Sequence, residues 1–274
     1  MDFQKLLFLY CQEHSSLNLY DFVPYRFGAF SFSSYADRRK LVERGFLVDD
    51  EQQWRLTETG HRTADAMLDS DITGFTSRYS SLRGDALVAE TYRRFPYYAI
   101  HSEIAGRVLH GDEETIARIE SERATDTAPG LFTIGYEGYT IESYLNTLIR
   151  SGVTILCDVR RNPVSRKYGF SKSTLSKGCM GVGIGYLHFP GLGIASEKRR
   201  GISSQADYDA LFSEYERDTL PGQAVTLAEM IELIVRGGRI ALTCYEKLPH
   251  QCHRLRVAEA LMCRSGYLTT VVHL

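Results

Sequence analysis

The sequence has no apolar run approaching the ~18–20 residues that a helix needs to cross a bilayer, so a membrane-spanning reading is excluded at the outset. Its opening, MDFQKLLFLYCQEH, shows neither a basic leader nor a small-residue cleavage site, and the expected compartment is the cytoplasm. It also lacks the dense cysteine spacing of a secreted disulfide scaffold. Its six cysteines, Cys11, Cys157, Cys179, Cys244, Cys252 and Cys263, are scattered, so reduced thiols are expected. Absent too are G-x-x-x-x-G-K-[ST], a G-x-G-x-x-G placed after a strand, G-x-S-x-G and H-E-x-x-H. Their absence removes the easiest readings as an NTPase, a dinucleotide enzyme, an α/β-hydrolase or a zincin. Zinc sites present ligands in close pairs such as C-x₂₋₄-C, and Cys244 and Cys252 are too widely separated for that signature; no metal and no other cofactor is expected. A charge excess of one sign is missing as well. Lys and Arg number 32 against 34 Asp and Glu, and the net charge of −2 argues for neither nucleic acid nor membrane, because a whole-chain value hides local segregation.

What is present fits a folded protein of two domains. The 274 residues exceed one ordinary domain, and 43% hydrophobic with 24% charged residues is a globular composition. In the first part, Phe3, Leu6, Leu7 and Tyr10 recur at helical spacing. Ser33 to Arg44 reads as a second helix stopped by Gly45. Phe46–Val48 and Gln53–Leu56 then read as a hairpin, with Thr57 capping a further helix from Glu58. Helix, helix, hairpin, helix is the order of a winged helix-turn-helix. More helices are expected over Leu82–Arg94 and Glu113–Glu122. The polar stretch from Ser121 to Gly130 reads as the linker. The domains are thus 1–128, mainly helical, and 131–274.

After the linker the pattern changes to strands alternating with helices. Strands are expected at Leu131–Ile134, Val153–Val159, Tyr186–Phe189, Arg239–Cys244 and Leu268–His273. Helices are expected at Thr140–Arg150, Tyr208–Thr219, Leu227–Val235 and His250–Cys263. The fold class is α/β, a mostly parallel Rossmann-like sheet with helices on both faces, preceded by the winged-helix domain. Such sheets bind ligands at the carboxyl ends of their strands. The rare polar residues lie just there: Tyr136 and Glu137 after the first strand, Asp158, Arg160 and Arg161 after the second, and Cys244 and Glu246 after the fourth. Cys252-His253-Arg254 follows at the head of the next helix.

The blocks Thr133-Ile134-Gly135-Tyr136-Glu137-Gly138, Cys157-Asp158-Val159-Arg160-Arg161-Asn162-Pro163, Leu187-His188-Phe189-Pro190-Gly191-Leu192-Gly193 and Cys244-Tyr245-Glu246-Lys247 with Cys252-His253-Arg254 resemble the domain of unknown function family 488 across residues 131–274. Members of that family carry a DNA-repair-like label, which the resemblance extends to this chain as an association only. The family's usual histidine after Thr-Ile-Gly is Tyr136 here. The first part, through Tyr20, Phe22, Tyr25, Gly28, Phe30 and Ser31, resembles winged-helix modules of bacterial regulators and phage-associated antitoxin-like proteins. A winged helix reads the major groove with its second helix, for which Arg38, Arg39, Lys40 and Arg44 are candidates; a protein-docking unit is the alternative.

Glu137, Asp158 and Glu246 are the acid–base candidates, and Cys252 with His253 the nucleophile or acid–base pair. At a helix N-terminus Cys252 sits where an anion is favoured, and Arg254 offers paired donors. The strongest electrostatic feature lies between Val159 and Ser196, where Arg160, Arg161, Arg166, Lys167, Lys172 and Lys177 occur without an acidic residue. Tyr168 lies among them, and Tyr136, Tyr168 and Tyr245 are candidates to stack on a base. The expected activity is that of a nucleic-acid-processing enzyme, hydrolytic and glycosylase-like, acting on a nucleotide or modified base in a repair or phage-defence setting. The expected partner is DNA, with a homo-oligomer also compatible. The alternatives are a winged-helix transcriptional regulator whose α/β domain senses a small anion or oxidant, and an interaction module without catalysis.

Overall fold

The computed structural model describes every residue except Asn18, Glu51, Gln52, Leu68, Asp69, Arg200, Tyr267, Leu268 and Thr269. The chain divides into two units, Met1–Arg123 and Ala124–Leu274. Among the described residues no helix is long and apolar enough to cross a membrane.

The first unit is mainly helical: α1 (Asp2–Glu13), strands β1 (Val23–Tyr25) and β2 (Gly28–Phe30), α2 (Phe32–Glu43), α3 (Glu58–Met67), α4 (Ser70–Arg78), α5 (Gly84–Arg94), α6 (Ala105–Val108) and α7 (Glu113–Ser121). The hairpin β1–β2 lies between α1 and α2; Gly28 closes it at φ 89°, with the Tyr92 ring against its Cα so that no side chain fits. The expected hairpin after α2 contracts to one antiparallel bridge, Leu47 with Leu56, and its turn residues Glu51 and Gln52 lie outside the described residues. Thr57 does cap α3, its Oγ1 accepting from the Gly60 amide at 3.0 Å. The core gathers Phe8, Leu9, Phe22, Phe75 and Leu87. Beside it Lys5 of α1 is buried, its ammonium donating to the Ala29 carbonyl at 2.9 Å, and burial pulls its pKa down to about 7.

The second unit is α/β. It runs β3 (Gly130–Gly135), α8 (Ile141–Arg150), β4 (Ile155–Asp158), α9 (Lys172–Gly181), β5 (Gly185–His188), α10 (Gln205–Asp218), α11 (Ala224–Val235), β6 (Arg239–Cys244), α12 (His253–Ser265) and β7 (Val272–His273). The five strands are paired in parallel in the order β5-β4-β6-β3-β7. The last strand is shorter than expected, and Leu268 and Thr269 of the expected segment lie outside the described residues.

Local chemistry explains the elements. Thr140 and Ser143 form a reciprocal capping box at the start of α8, whose Tyr144, Leu145 and Leu148 fall on one buried stripe. All six residues of β6 are buried, as a central strand covered on both faces requires. Ile240 and Leu242 pack with Leu227, Met230, Val257 and Leu261 of α11 and α12, while Thr243, pointing the other way, takes a hydrogen bond from Tyr144 of α8 at 2.7 Å. Helices therefore lie against both faces, consistent with a Rossmann-like layering. Helix α9 was not expected, because Gly178, Gly181 and its several serines and lysines mask a short buried pair, Leu175 and Cys179, four residues apart.

A cavity at the carboxyl ends of the strands

Because β3, β4 and β6 run parallel, Tyr136, Glu137, Asp158, Cys244 and Glu246 emerge on one rim of the sheet, and Cys252 returns to it at the head of α12. The rim is tight. A Cβ on Gly135 would lie 1.8 Å from the Glu246 carbonyl oxygen, so only glycine lets the segment after β6 cross the end of β3. A cavity of about 130 Å³ opens here, lined by Tyr136, Arg160, Arg161, Asn162, Ile194, Arg199, Cys244, Tyr245 and His253. A second cavity, of about 260 Å³, shares Arg161 and Ile194 with it and continues past Lys198, Glu214 and Tyr215.

Asp158, a candidate for activating water, is fully buried and engaged. Arg160 donates to it through Nε at 2.8 Å and through Nη2 at 2.5 Å, its own amide adds a bond at 3.1 Å, and Tyr186 donates at 2.6 Å. Both oxygens of the buried Asp158 are held by these bonds, so it ties the rim together. Arg160 is likewise spent, donating also to Tyr136 Oη at 3.1 Å and to the Phe170 carbonyl at 2.9 Å. Burial and the Asp158 carboxylate together push the Tyr186 phenol well above its ordinary pKa. Tyr136 forms a wall: its ring is buried, stacks on Phe170 with centroids 4.5 Å apart and also meets the Arg160 guanidinium.

Arg254, expected to bind phosphate, is buried and donates to the carbonyls of Glu246 at 2.5 Å and Lys247 at 2.9 Å, which fixes the loop after β6. Glu137 is exposed at the rim and accepts from the Lys247 amide at 2.9 Å. Cys252 is buried as the N-cap residue of α12 and does not line the cavity; Cys244 does. The cations of the acid-free stretch separate into two kinds. Arg161, Arg166 and Lys172 are exposed, whereas Lys167 is half-buried, its ammonium donating to the Tyr136 carbonyl at 3.3 Å. Lys172 also meets His188 at 3.2 Å, and His188 Nε2 donates to the Arg160 carbonyl at 2.9 Å. Of the three aromatic candidates Tyr168 and Tyr245 are exposed, at 37% and 46%, and the Tyr245 ring meets Tyr136 edge-on with centroids 5.3 Å apart.

The floor of the cavity is a cluster of sulfur, imidazole, guanidinium and carboxylate. His253 Nε2 donates to the Val159 carbonyl at 2.9 Å, and its Nδ1 accepts from Arg199 Nη2 at 2.6 Å. Arg199 is paired with Glu246, and the Cys244 thiol donates to Glu246 Oε2 at 3.5 Å. The Cys252 hydrogen bond, then His253 and Arg199, hold the Cys244 thiol well below its ordinary pKa. Burial, then the neighbouring Cys244, push Cys252 up; burial and Cys244 also raise Glu246. Arg199 and Cys244 are the residues that sequence reading left out of the site. Cys244 ends a fully buried strand among named candidates, and Arg199 stands in the cationic run after the acid-free stretch; those were the available signals.

No curated protein and no solved structure gives a significant match to the chain. The family comparison does, and its matched span begins at the cap of α8, covers β4, β5, β6 and the Cys-His-Arg head of α12, and leaves Tyr136 and Glu137 outside. Residues 140–261 match the model of the family described as Domain of unknown function DUF488.

Proposed function

We propose that the protein is a nucleic-acid-processing enzyme whose strand-end cavity hydrolyses a bond in a nucleotide or modified base, in a repair-like or defence-like role. One observation carries this reading. Side chains from the ends of three strands line one cavity, and Arg161, an exposed cation of the segment without acidic residues, lines it with them. Arg161 lines both cavities and is exposed, which suits it to a phosphate of a backbone lying across them. Tyr245, which lines the cavity and is exposed, offers its ring to an extruded or single-stranded base. Glu246, beside the cavity floor and linked to Arg199 and Cys244, takes the proton-transfer role in place of Asp158. In the first unit, a winged-helix-like module would position DNA through Arg39 and Arg44; Arg38 is not available for this, since it donates to the Asp50 carbonyl. Product analysis by mass spectrometry after incubating the full chain with modified and unmodified DNA and RNA tests the proposal. Released bases or nucleotides support it; intact substrates throughout, with operator-like binding, refute it.

A second reading has its own support. The sulfurs of Cys244 and Cys252 lie within 4.8 Å of each other, a dithiol that an oxidant can close, as a regulator sensing oxidants would need. Reversible disulfide formation coupled to DNA release, without turnover, is its signature.

A further inference from the structure

Three atoms with metal-ligand chemistry meet at the cavity floor: Cys244 Sγ, Cys252 Sγ and His253 Nδ1, all within 4.8 Å of one another. The nitrogen lies 3.8 Å from the first sulfur and 3.9 Å from the second. A tetrahedral zinc ion, with Zn–S of ~2.3 Å and Zn–N of ~2.0–2.1 Å, holds its ligand atoms roughly 3.5–3.8 Å apart. The two nitrogen–sulfur separations therefore need to close by only a few tenths of an ångström.

The imidazole is oriented for such a role. A carbonyl only accepts, so Nε2 carries the hydrogen donated to Val159, and the Nδ1 lone pair faces the two sulfurs. Histidines that bind metals are held in this way, their other N–H tied to a carbonyl or carboxylate. The group now on that lone pair is itself a cation, since Arg199 donates to Nδ1 at 2.6 Å. Arg199 is 27% exposed, lines the cavity and is already paired with Glu246, so it can withdraw along the wall.

We propose that Cys244, Cys252 and His253 form a site for a divalent ion of the zinc class, with the fourth position turned to the cavity. Two sulfurs and an imidazole select zinc over magnesium or calcium, which take oxygen ligands. Three protein ligands with an open position is the pattern of catalytic zinc sites. The long sequence spacing is not an obstacle, because a short turn at Pro249–Gln251 brings Cys252 back beside the end of β6. The site stands on this geometry and not on the proposed reaction.

The test loads the purified, metal-stripped full chain with Zn²⁺ or Co²⁺ alone. Elemental analysis should find one ion per chain, and the cobalt form should show thiolate charge-transfer absorption with tetrahedral d–d bands. Cys244→Ser and Cys252→Ser should each weaken uptake by about 100-fold or more. Arg199→Ala, which removes the competing guanidinium and leaves all three ligands in place, should bind several-fold tighter. Sub-stoichiometric metal in the wild type overturns the proposal, as does a charge-transfer band surviving in both serine variants. Should those variants fail to fold, unchanged or weaker uptake by Arg199→Ala overturns it as well. Metal uptake without nucleic-acid turnover leaves the site standing and removes the hydrolytic reading; turnover by a chain that takes up no metal when loaded keeps the reaction and removes the site.

Discussion

Arg160 grips Asp158 from two residues away, its Nε and Nη2 on the two carboxylate oxygens, in a place where the aspartate is fully buried and the arginine nearly so. Removing one partner of such a pair strands the other charge in the interior, which costs about 3–5 kcal/mol. Asp158→Ala and Arg160→Ala should each lower unfolding stability by that amount in denaturant titrations. The double variant should lose clearly less than the sum. Additive losses would show that the two residues are not coupled.

The same burial explains what could be read before the fold was known. Parallel strand order places 136, 158 and 244 on one rim, and alternation of strands and helices was enough to expect that. Which carboxylate stays available was not legible. Asp158 and Glu246 look alike as strand-end acids, and only the positions of Tyr186 and Arg160, one in sequence remote from Asp158 and the other two residues away, take the first out of use. Spacing also did not show that the Cys244 and Cys252 sulfurs lie within 4.8 Å of each other, because a sequence gap does not reveal a turn that folds back. Arg254 shows the reverse error: a guanidinium at a helix head suggests an anion, but here two carbonyls of the preceding loop take its donors.

Arg161 should behave as a surface contact to phosphate. Arg161→Ala is expected to leave stability within about 0.5 kcal/mol, while reducing the salt dependence of DNA binding by a slope of about 1. Fluorescence anisotropy across a salt series checks both the affinity and the slope. An unchanged slope removes Arg161 from the interface.

Gly135→Ala should break the rim. The added methyl meets the Glu246 carbonyl at 1.8 Å, so the loop after β6 must shift. Overpacking of this kind costs about 1–3 kcal/mol, and a thermal melt of the variant should show the loss. A melt equal to that of the wild type would mean that the two segments do not approach as described.

Lys5 predicts a pH dependence in the first unit. Burial lowers its pKa from 10.5 to about 7, so between those values the unfolded chain binds more protons than the folded one. Its contribution is complete above pH 10.5 and is lost as the pH falls to about 7, with a slope of at most about 1.4 kcal/mol per unit. Stability of the full chain should therefore rise with pH through that window relative to Lys5→Met, as measured by denaturant titration at several pH values. A difference between the two proteins that does not vary with pH would contradict the assignment.

In the proposed function the strand-end cavity hydrolyses a bond in nucleic acid, with Glu246 moving the proton. Its most direct test is the single-turnover rate of base or nucleotide release by the wild type and by Glu246→Gln, on the substrate that the product survey identifies. Release by the wild type is expected, at a rate about 10²–10⁴-fold above that of the variant, with folding and DNA affinity retained. Release at equal rates by both proteins would contradict it.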